Sequence, residues 1–135
     1  MMNKKRILVT DDSELVRMSL GVLLEKWGYD VSQAANCSEA FECLKKEDIS
    51  AVLLDIRLGD ENGFDVLKGI KESGKNIPVV VMTAFDKDYN QNHFFDQGAI
   101  AFLIKPIKVT DLKDILATCI KTNKPEQAFH ETNSH

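Results

Sequence analysis

The chain has 135 residues, which fits one globular domain, and 44% of them are apolar, which is enough for a single hydrophobic core. Its formal net charge of -4 argues against direct nucleic-acid binding, since phosphate backbones recruit basic surfaces. The three cysteines form no Cys-x-x-Cys pair, so we expect neither a zinc site nor a disulfide framework. We also expect no signal peptide and no membrane span, and we place the protein in the reducing cytoplasm.

Short apolar runs rich in β-branched residues alternate along the chain with longer segments of helical periodicity. Continuous apolar runs without polar alternation are typical of strands that are covered on both faces of a sheet. The five predicted strands are, in chain order, residues 7–9, 29–34, 51–54, 79–82 and 100–104.

The segments between these strands carry apolar residues at the spacing of one helix face. The predicted helices cover residues 16–27, 40–44, 64–70, 86–97 and 112–120. Segment 86–97 is the least periodic of the five, and Gly28 is placed to end the first helix.

Strands that alternate with helices imply an α/β fold with a parallel sheet and right-handed crossovers. A domain of about 120 residues suits five strands doubly wound by five helices. The flavodoxin-like strand order, 2-1-3-4-5, is taken from folds of this class, and it makes strands 1 and 3 neighbours where ligands bind. We predict that residues 4–121 form this domain and that residues 122–135 form a polar tail or linker stub.

Polar residues stand at the carboxyl ends of four predicted strands. Asp11 and Asp12 follow the first strand, Asp55 the third, Thr83 the fourth and Lys105 the fifth. In a parallel sheet these side chains meet at one edge, where three carboxylates repel one another unless a cation neutralises them. Mg²⁺ prefers a few carboxylates with waters and phosphate oxygens, so the set predicts a Mg²⁺ or Mn²⁺ site that receives a phosphoryl group.

The chemistry expected of this set is the formation of an acyl phosphate. Asp55 follows four apolar residues and is the most central acid, which makes it the predicted nucleophile. Lys105 would hold a phosphoryl oxygen, and Thr83 would donate to the product phosphate. Each residue also has an ordinary explanation: either acid after the first strand, or Ser13, could cap the following helix. The joint occurrence at four strand ends favours the functional interpretation.

An ordered set of short motifs runs through residues 4–121. It consists of Ile7-Leu8-Val9-Thr10-Asp11-Asp12, Leu53-Leu54-Asp55-Ile56-Arg57-Leu58, Gly63, Met82-Thr83-Ala84, Gly98-Ala99 and Phe102-Leu103-Ile104-Lys105-Pro106. Each motif alone is a weak signal of any family, but the ordered set with its spacings is a specific one. On the basis of these motifs the chain resembles the receiver domains of two-component response regulators, a family that includes the chemotaxis receivers.

The resemblance implies the roles of the phosphoryl-transfer residues. Asp55 would accept the phosphoryl group from a sensor histidine kinase or a phosphotransfer protein. Asp12 and Asp55 would bind Mg²⁺ directly, Asp11 would act through water, and the backbone carbonyl of Arg57 would be the third protein ligand. Lys105 would bind the phosphate. No other enzymatic activity is expected beyond phosphoryl transfer to the domain itself and its autodephosphorylation.

The resemblance also implies a switch. Thr83 and Phe102 would form the switch pair, although an aromatic residue in a late strand is as often a core residue. The Lys105-Pro106 bond would be cis. Phosphorylation would change the surface of helix 4, strand 5 and helix 5, which signals to a downstream protein or to an output domain missing from this sequence. A homodimer through that face is left open.

The sequence leaves other possibilities and shows one departure. Gly59 stands where many relatives have proline, so the loop 57–62 is expected to be more flexible. An aspartyl-phosphate phosphohydrolase would need an acid where Arg57 stands, and a nucleotide or flavin binder would need a Gly-rich loop. A pseudo-receiver that acts only through protein contacts is disfavoured by the intact acids, Thr83 and Lys105.

Overall fold

The sheet of the computed structural model, which describes residues 4–84 and 91–121, contains five parallel strands. In chain order they are β1 (Arg6–Thr10), β2 (Asp30–Ala34), β3 (Ala51–Asp55), β4 (Val79–Ala84) and β5 (Ala101–Lys105). Their order across the sheet is β2-β1-β3-β4-β5, with every neighbouring pair parallel. The predicted order 2-1-3-4-5 is therefore confirmed, and β1 and β3 are neighbours.

Five helices cover the two faces of this sheet, as predicted. They are α1 (Glu14–Lys26), α2 (Cys37–Lys46), α3 (Phe64–Glu72), α4 (Gln91–Asp96) and α5 (Val109–Lys121). The apolar sides of α1 and α5 pack on one face, and those of α2, α3 and α4 pack on the other. Residues 86–90 of the predicted fourth helix and the predicted tail 122–135 lie outside the described residues. Within the described ranges, no helix combines the length and hydropathy required to cross a bilayer.

The central strand β3 shows why the apolar runs lack polar alternation. Residues 51–54 are completely buried because helices cover both faces of the sheet. Leu53 points into the core beneath α1 and α5, and Leu54 points into the core beneath α2, α3 and α4. The burial continues to Asp55, the last residue of the strand, which places a carboxylate at the edge of the core.

The segment after β3 forms a short hairpin where the sequence predicted a flexible loop. Arg57–Leu58 pairs with Glu61–Asn62 in antiparallel register. Gly59 has a φ of 63°, the conformation that the first loop position of a type II′ hairpin turn requires. The glycine that we expected to loosen this loop therefore permits a tight, hydrogen-bonded turn.

Candidate functional site

The carboxyl edge of the sheet brings together the charged residues that the sequence placed at the strand ends. Asp55 ends β3, Lys105 ends β5, and Asp11 directly follows β1. The Lys105 Nζ atom lies 2.9 Å from Asp55 Oδ2 and 3.0 Å from Asp11 Oδ2. One ammonium group thus bridges two carboxylates, those of Asp11 and Asp55, that are 44 residues apart in the chain.

These two carboxylates are buried: Asp11 is 1% exposed and Asp55 is 8% exposed. Burial raises the pKa of Asp55 above its ordinary value, and the nearby Asp11 charge raises it further. Hydrogen bonds from Lys105 and from the Arg57 backbone N–H act in the opposite direction without reversing the shift. Burial would lower the pKa of Lys105, but its hydrogen bonds to the two carboxylates raise the pKa above its ordinary value.

A third carboxylate stands beside this pair. Oxygen atoms of Asp11, Asp12 and Asp55 all lie within 4.8 Å of one another, and Asp12 faces solvent. Among the described contacts at this edge, three carboxylates meet one ammonium group, that of Lys105, which leaves an excess of negative charge. Carboxylate oxygens are the ligands that Mg²⁺ prefers, so this donor set fits a hard divalent cation reached from solvent.

Helix capping does not account for the two acids that follow β1. The cap of α1 is Ser13, whose Oγ accepts a hydrogen bond from Val16 N at 3.3 Å. Asp11 Oδ1 instead accepts from Ser13 N at 3.0 Å, and Asp12 Oδ2 accepts from Gly59 N at 3.1 Å. The acids are thereby held by a local turn and by the hairpin that follows β3.

The backbone around Asp55 is held by a close approach of α3. The Arg57 N–H donates to Asp55 Oδ1 at 3.1 Å, and the Gly63 N–H donates to the Ile56 carbonyl at 2.6 Å. A Cβ atom at Gly63 would lie 2.5 Å from the Asp55 carbonyl oxygen. The sequence marked Gly63 only as a motif residue; its steric role depends on a contact between β3 and α3 that the sequence pattern does not reveal.

Thr83 lies near this edge at the end of β4, whereas Phe102 lies near the start of β5, paired with Val81 of β4. Thr83 is 9% exposed, and its hydroxyl donates to the Ala84 carbonyl at 3.0 Å. The Phe102 ring is half-buried and contacts two rings of α4, with centroids 5.5 Å from Phe94 and 5.9 Å from Phe95. The bond that leaves β5, between Lys105 and Pro106, is cis.

Comparison with known proteins connects this geometry to one family. The family model described as the response regulator receiver domain matches residues 7–117. Sporulation initiation phosphotransferase F of Bacillus subtilis is 34% identical over 114 residues, which cover 84% of this chain and 91% of that protein. Response regulator protein PilR of Pseudomonas aeruginosa is 30% identical over 125 residues, which cover 93% of this chain. The chain spans only 28% of the length of PilR.

A solved structure shows the same architecture. The response regulator protein from Burkholderia pseudomallei, crystallised with a phosphorylated aspartic acid, a calcium ion and citrate, matches with a TM-score of 0.77 at 26% identity. The match covers 96% of this chain and 73% of that chain. Sequence and fold therefore lead to the same group of proteins.

Proposed function

Because the chain belongs to the family of response regulator receiver domains, the signalling domains of two-component systems, we propose that it accepts a phosphoryl group on Asp55. The donor would be a sensor histidine kinase or a phosphotransfer protein. The observation that carries this proposal is the buried pair of Asp11 and Asp55 on the ammonium group of Lys105. Buried unbalanced charge of this kind costs stability, which indicates a functional site.

In the proposed reaction an Asp55 carboxylate oxygen attacks the phosphorus of a phosphohistidine. A phosphorus–oxygen bond forms, the phosphorus–nitrogen bond breaks, and its electron pair returns to the histidine nitrogen. Lys105 is already within hydrogen-bond distance of Asp55 Oδ2, so it can donate to a phosphoryl oxygen there. The product adds about -1.5 to -2 charges to the edge of the sheet.

Mg²⁺ is the cofactor that we propose for this site. Asp12 and Asp55 would hold it directly, the Arg57 backbone carbonyl would be the third protein ligand, and Asp11 would act through a bound water. The ion would supply charge neutralisation for the phosphoryl oxygens. Two findings support the assignment: the carboxylate oxygens lie within 4.8 Å of one another, and the B. pseudomallei protein carries a calcium ion together with a phosphorylated aspartic acid.

We propose Thr83 and Phe102 as the switch pair. The Thr83 hydroxyl now donates to a backbone carbonyl, and an aspartyl phosphate offers it charged acceptor oxygens in exchange. Movement of Thr83 would let the Phe102 ring repack, which changes its contacts with Phe94 and Phe95 on α4. The α4-β5-α5 face would carry the signal to a partner protein, an output domain or a second copy of the chain.

The limits of the domain and its compartment complete the proposal. Residues 4–121 would form the receiver, since the family match covers residues 7–117 and α5 extends to Lys121. Three cysteines, none of them in a Cys-x-x-Cys pair, suit the reducing cytoplasm.

Phosphorylation by acetyl phosphate tests the assignment of Asp55. Wild-type protein incubated with Mg²⁺ is expected to gain the mass of one phosphoryl group by intact mass spectrometry, and Asp55→Asn is expected to gain none. Asp60→Asn, an exposed acid in the adjacent hairpin turn, serves as the matched control and is expected to be phosphorylated normally. Normal modification of Asp55→Asn would overturn the assignment, and steady turnover of a phosphomonoester would indicate a phosphohydrolase instead.

A further inference from the structure

The hairpin that follows Asp55 carries the proposed metal ligand, the Arg57 carbonyl, on a very short element. The hairpin contains only two residue pairs, and so small an antiparallel unit is not stable by itself in water. Leu58 anchors its first strand in the core at 2% exposure, and the Gly59 N–H binds Asp12 at the turn. The returning strand, residues 61–62, is held at its end by the Gly63 N–H on the Ile56 carbonyl, and at its start by an attachment to α2.

The Glu61 carboxylate makes this attachment by binding the start of α2. Glu61 Oε1 accepts a hydrogen bond from the Cys37 backbone N–H at 2.8 Å. Cys37 is the first residue of α2, so its N–H has no partner within the helix. The N-cap Asn36 is already engaged, because its side chain accepts from Glu39 N at 2.8 Å. A negative charge is also favourable at the positive end of a helix dipole.

A second contact follows at the next residue of the strand. The Cys37 Sγ atom lies 3.8 Å from the Asn62 carbonyl oxygen, a weak hydrogen bond at most. Asn62 is the partner of Arg57 across the hairpin, and Glu61 is the partner of Leu58. The first turn of α2 therefore holds the strand against which Arg57 is paired.

We propose that Glu61 is a positioning residue for the metal site. By fastening the returning strand to α2, its carboxylate fixes the hairpin that presents the Arg57 carbonyl to the cation. The inference rests on the proposed function, because it assumes that Mg²⁺ binds at Asp12, Asp55 and Arg57. A cap that only stabilised α2 would affect unfolding and leave the affinity for Mg²⁺ unchanged, whereas a positioning residue affects that affinity.

Titration of Mg²⁺ by isothermal calorimetry separates these roles with three variants. Glu61→Ala, which removes the acceptor and the charge, is expected to raise the Kd for Mg²⁺ about 10-fold, the lower end of the range for outer-shell partners. Glu61→Gln loses the charge but keeps an oxygen acceptor, so its Kd is expected to stay within about twofold of wild type. Asp60→Asn removes an equal charge one residue away and is expected to behave like Glu61→Gln.

The rate of phosphorylation by acetyl phosphate provides an independent reading. At saturating Mg²⁺ the phosphorylation rate of Glu61→Ala is expected to equal that of wild type, because the residue does not contact the reacting atoms. An unchanged Kd in Glu61→Ala, with or without lower thermal stability, would overturn the inference. So would an equal loss of affinity in all three variants, which would reveal an effect of charge alone. Wild-type protein that binds no Mg²⁺ would overturn the proposed metal site as well.

Discussion

The two edges of the sheet each place one cation between two carboxylates, but only the carboxyl edge buries them. At the amino edge, Arg6 lies 3.8 Å from Asp30 and 3.7 Å from Glu47, and all three side chains are at least one-third exposed. Arg6 also donates to Ser32 Oγ at 3.0 Å. Water and salt screen such a network, so each ion pair contributes about 0–1 kcal/mol.

The carboxyl edge also has one cation between two carboxylates, but there the carboxylates are buried from solvent. The Asp11 side chain is 1% exposed and that of Asp55 is 11% exposed, with Lys105 as the ammonium group between them. Removing two carboxylates from water costs more free energy than their attraction to one lysine recovers, especially because the two acids repel each other. The comparison teaches that similar ion pairs contribute little at the exposed edge and leave a buried excess of negative charge at the other edge, which supports the proposed site for a cation and a phosphoryl group.

The substitution Gly63→Ala tests the backbone support of the buried edge and has the largest expected effect on stability. Its Cβ atom would lie 2.5 Å from the Asp55 carbonyl oxygen and 2.9 Å from Ile56 Cα. These are backbone atoms that cannot rotate away. We expect a loss of about 3 kcal/mol in the free energy of unfolding, as for severe overpacking, measured by urea denaturation.

A helical glycine provides the control for this substitution. In Gly21→Ala the new Cβ atom would meet nothing closer than 3.8 Å, on the side chains of Gln33 and Val31. This variant is expected to keep or increase the stability of the protein, since alanine favours the helix. A Gly63→Ala protein as stable as wild type would show that α3 does not depend on close approach to the end of β3.

Much of the buried edge could be predicted from the sequence because the signals are local. The apolar run of residues 51–54 predicted a covered strand, and β3 is completely buried there. Once the strands were parallel, the residues at their carboxyl ends had to meet, which predicted that Lys105 would lie near Asp11 and Asp55. The contact distances show that this part of the prediction holds.

The features that the sequence did not predict depend on contacts between distant segments. Gly59 was expected to loosen the loop, but its N–H is bound by Asp12, which is 47 residues away, within a tight hairpin turn. The sequence left open whether Ser13 or one of the two acids caps α1, and in the structure the cap is Ser13. The bond from Cys37 N to Glu61 spans 24 residues and has no sequence signature.

The substitution Asp55→Asn is expected to stabilise the protein in the absence of divalent cations. A carboxylate whose pKa is raised in the folded state favours folding below its unfolded pKa and loses that contribution as pH rises through the folded pKa. At pH 7 the ionised group therefore carries a cost that asparagine does not. We expect an increase of about 1 kcal/mol, an ordinary size for one substitution, by urea denaturation with EDTA.

The pH dependence identifies the cause of this difference. Because its pKa is raised, folded Asp55 takes up its proton at a higher pH than the unfolded chain does, so the advantage of Asp55→Asn is expected to shrink as the pH falls towards the unfolded pKa of about 3.9. Lys105 does not interfere, because its raised pKa preserves its contribution until the pH exceeds the unfolded value of about 10.4. An advantage of the same size at pH 4 and pH 7 would assign the effect to packing instead of charge.

The substitution Asp30→Asn at the amino edge is expected to have the smallest effect. Asp30 is half-exposed and lies 3.8 Å from Arg6, which keeps Glu47 and its hydrogen bond to Ser32. We expect a change within about 0.5 kcal/mol by urea denaturation, and a still smaller change in 1 M salt, where the Debye length falls to about 3 Å. A loss comparable in size to the gain in Asp55→Asn, and insensitive to salt, would show that burial does not distinguish the two edges. In that case the charge excess beside Lys105 would lose its value as evidence for a cation site.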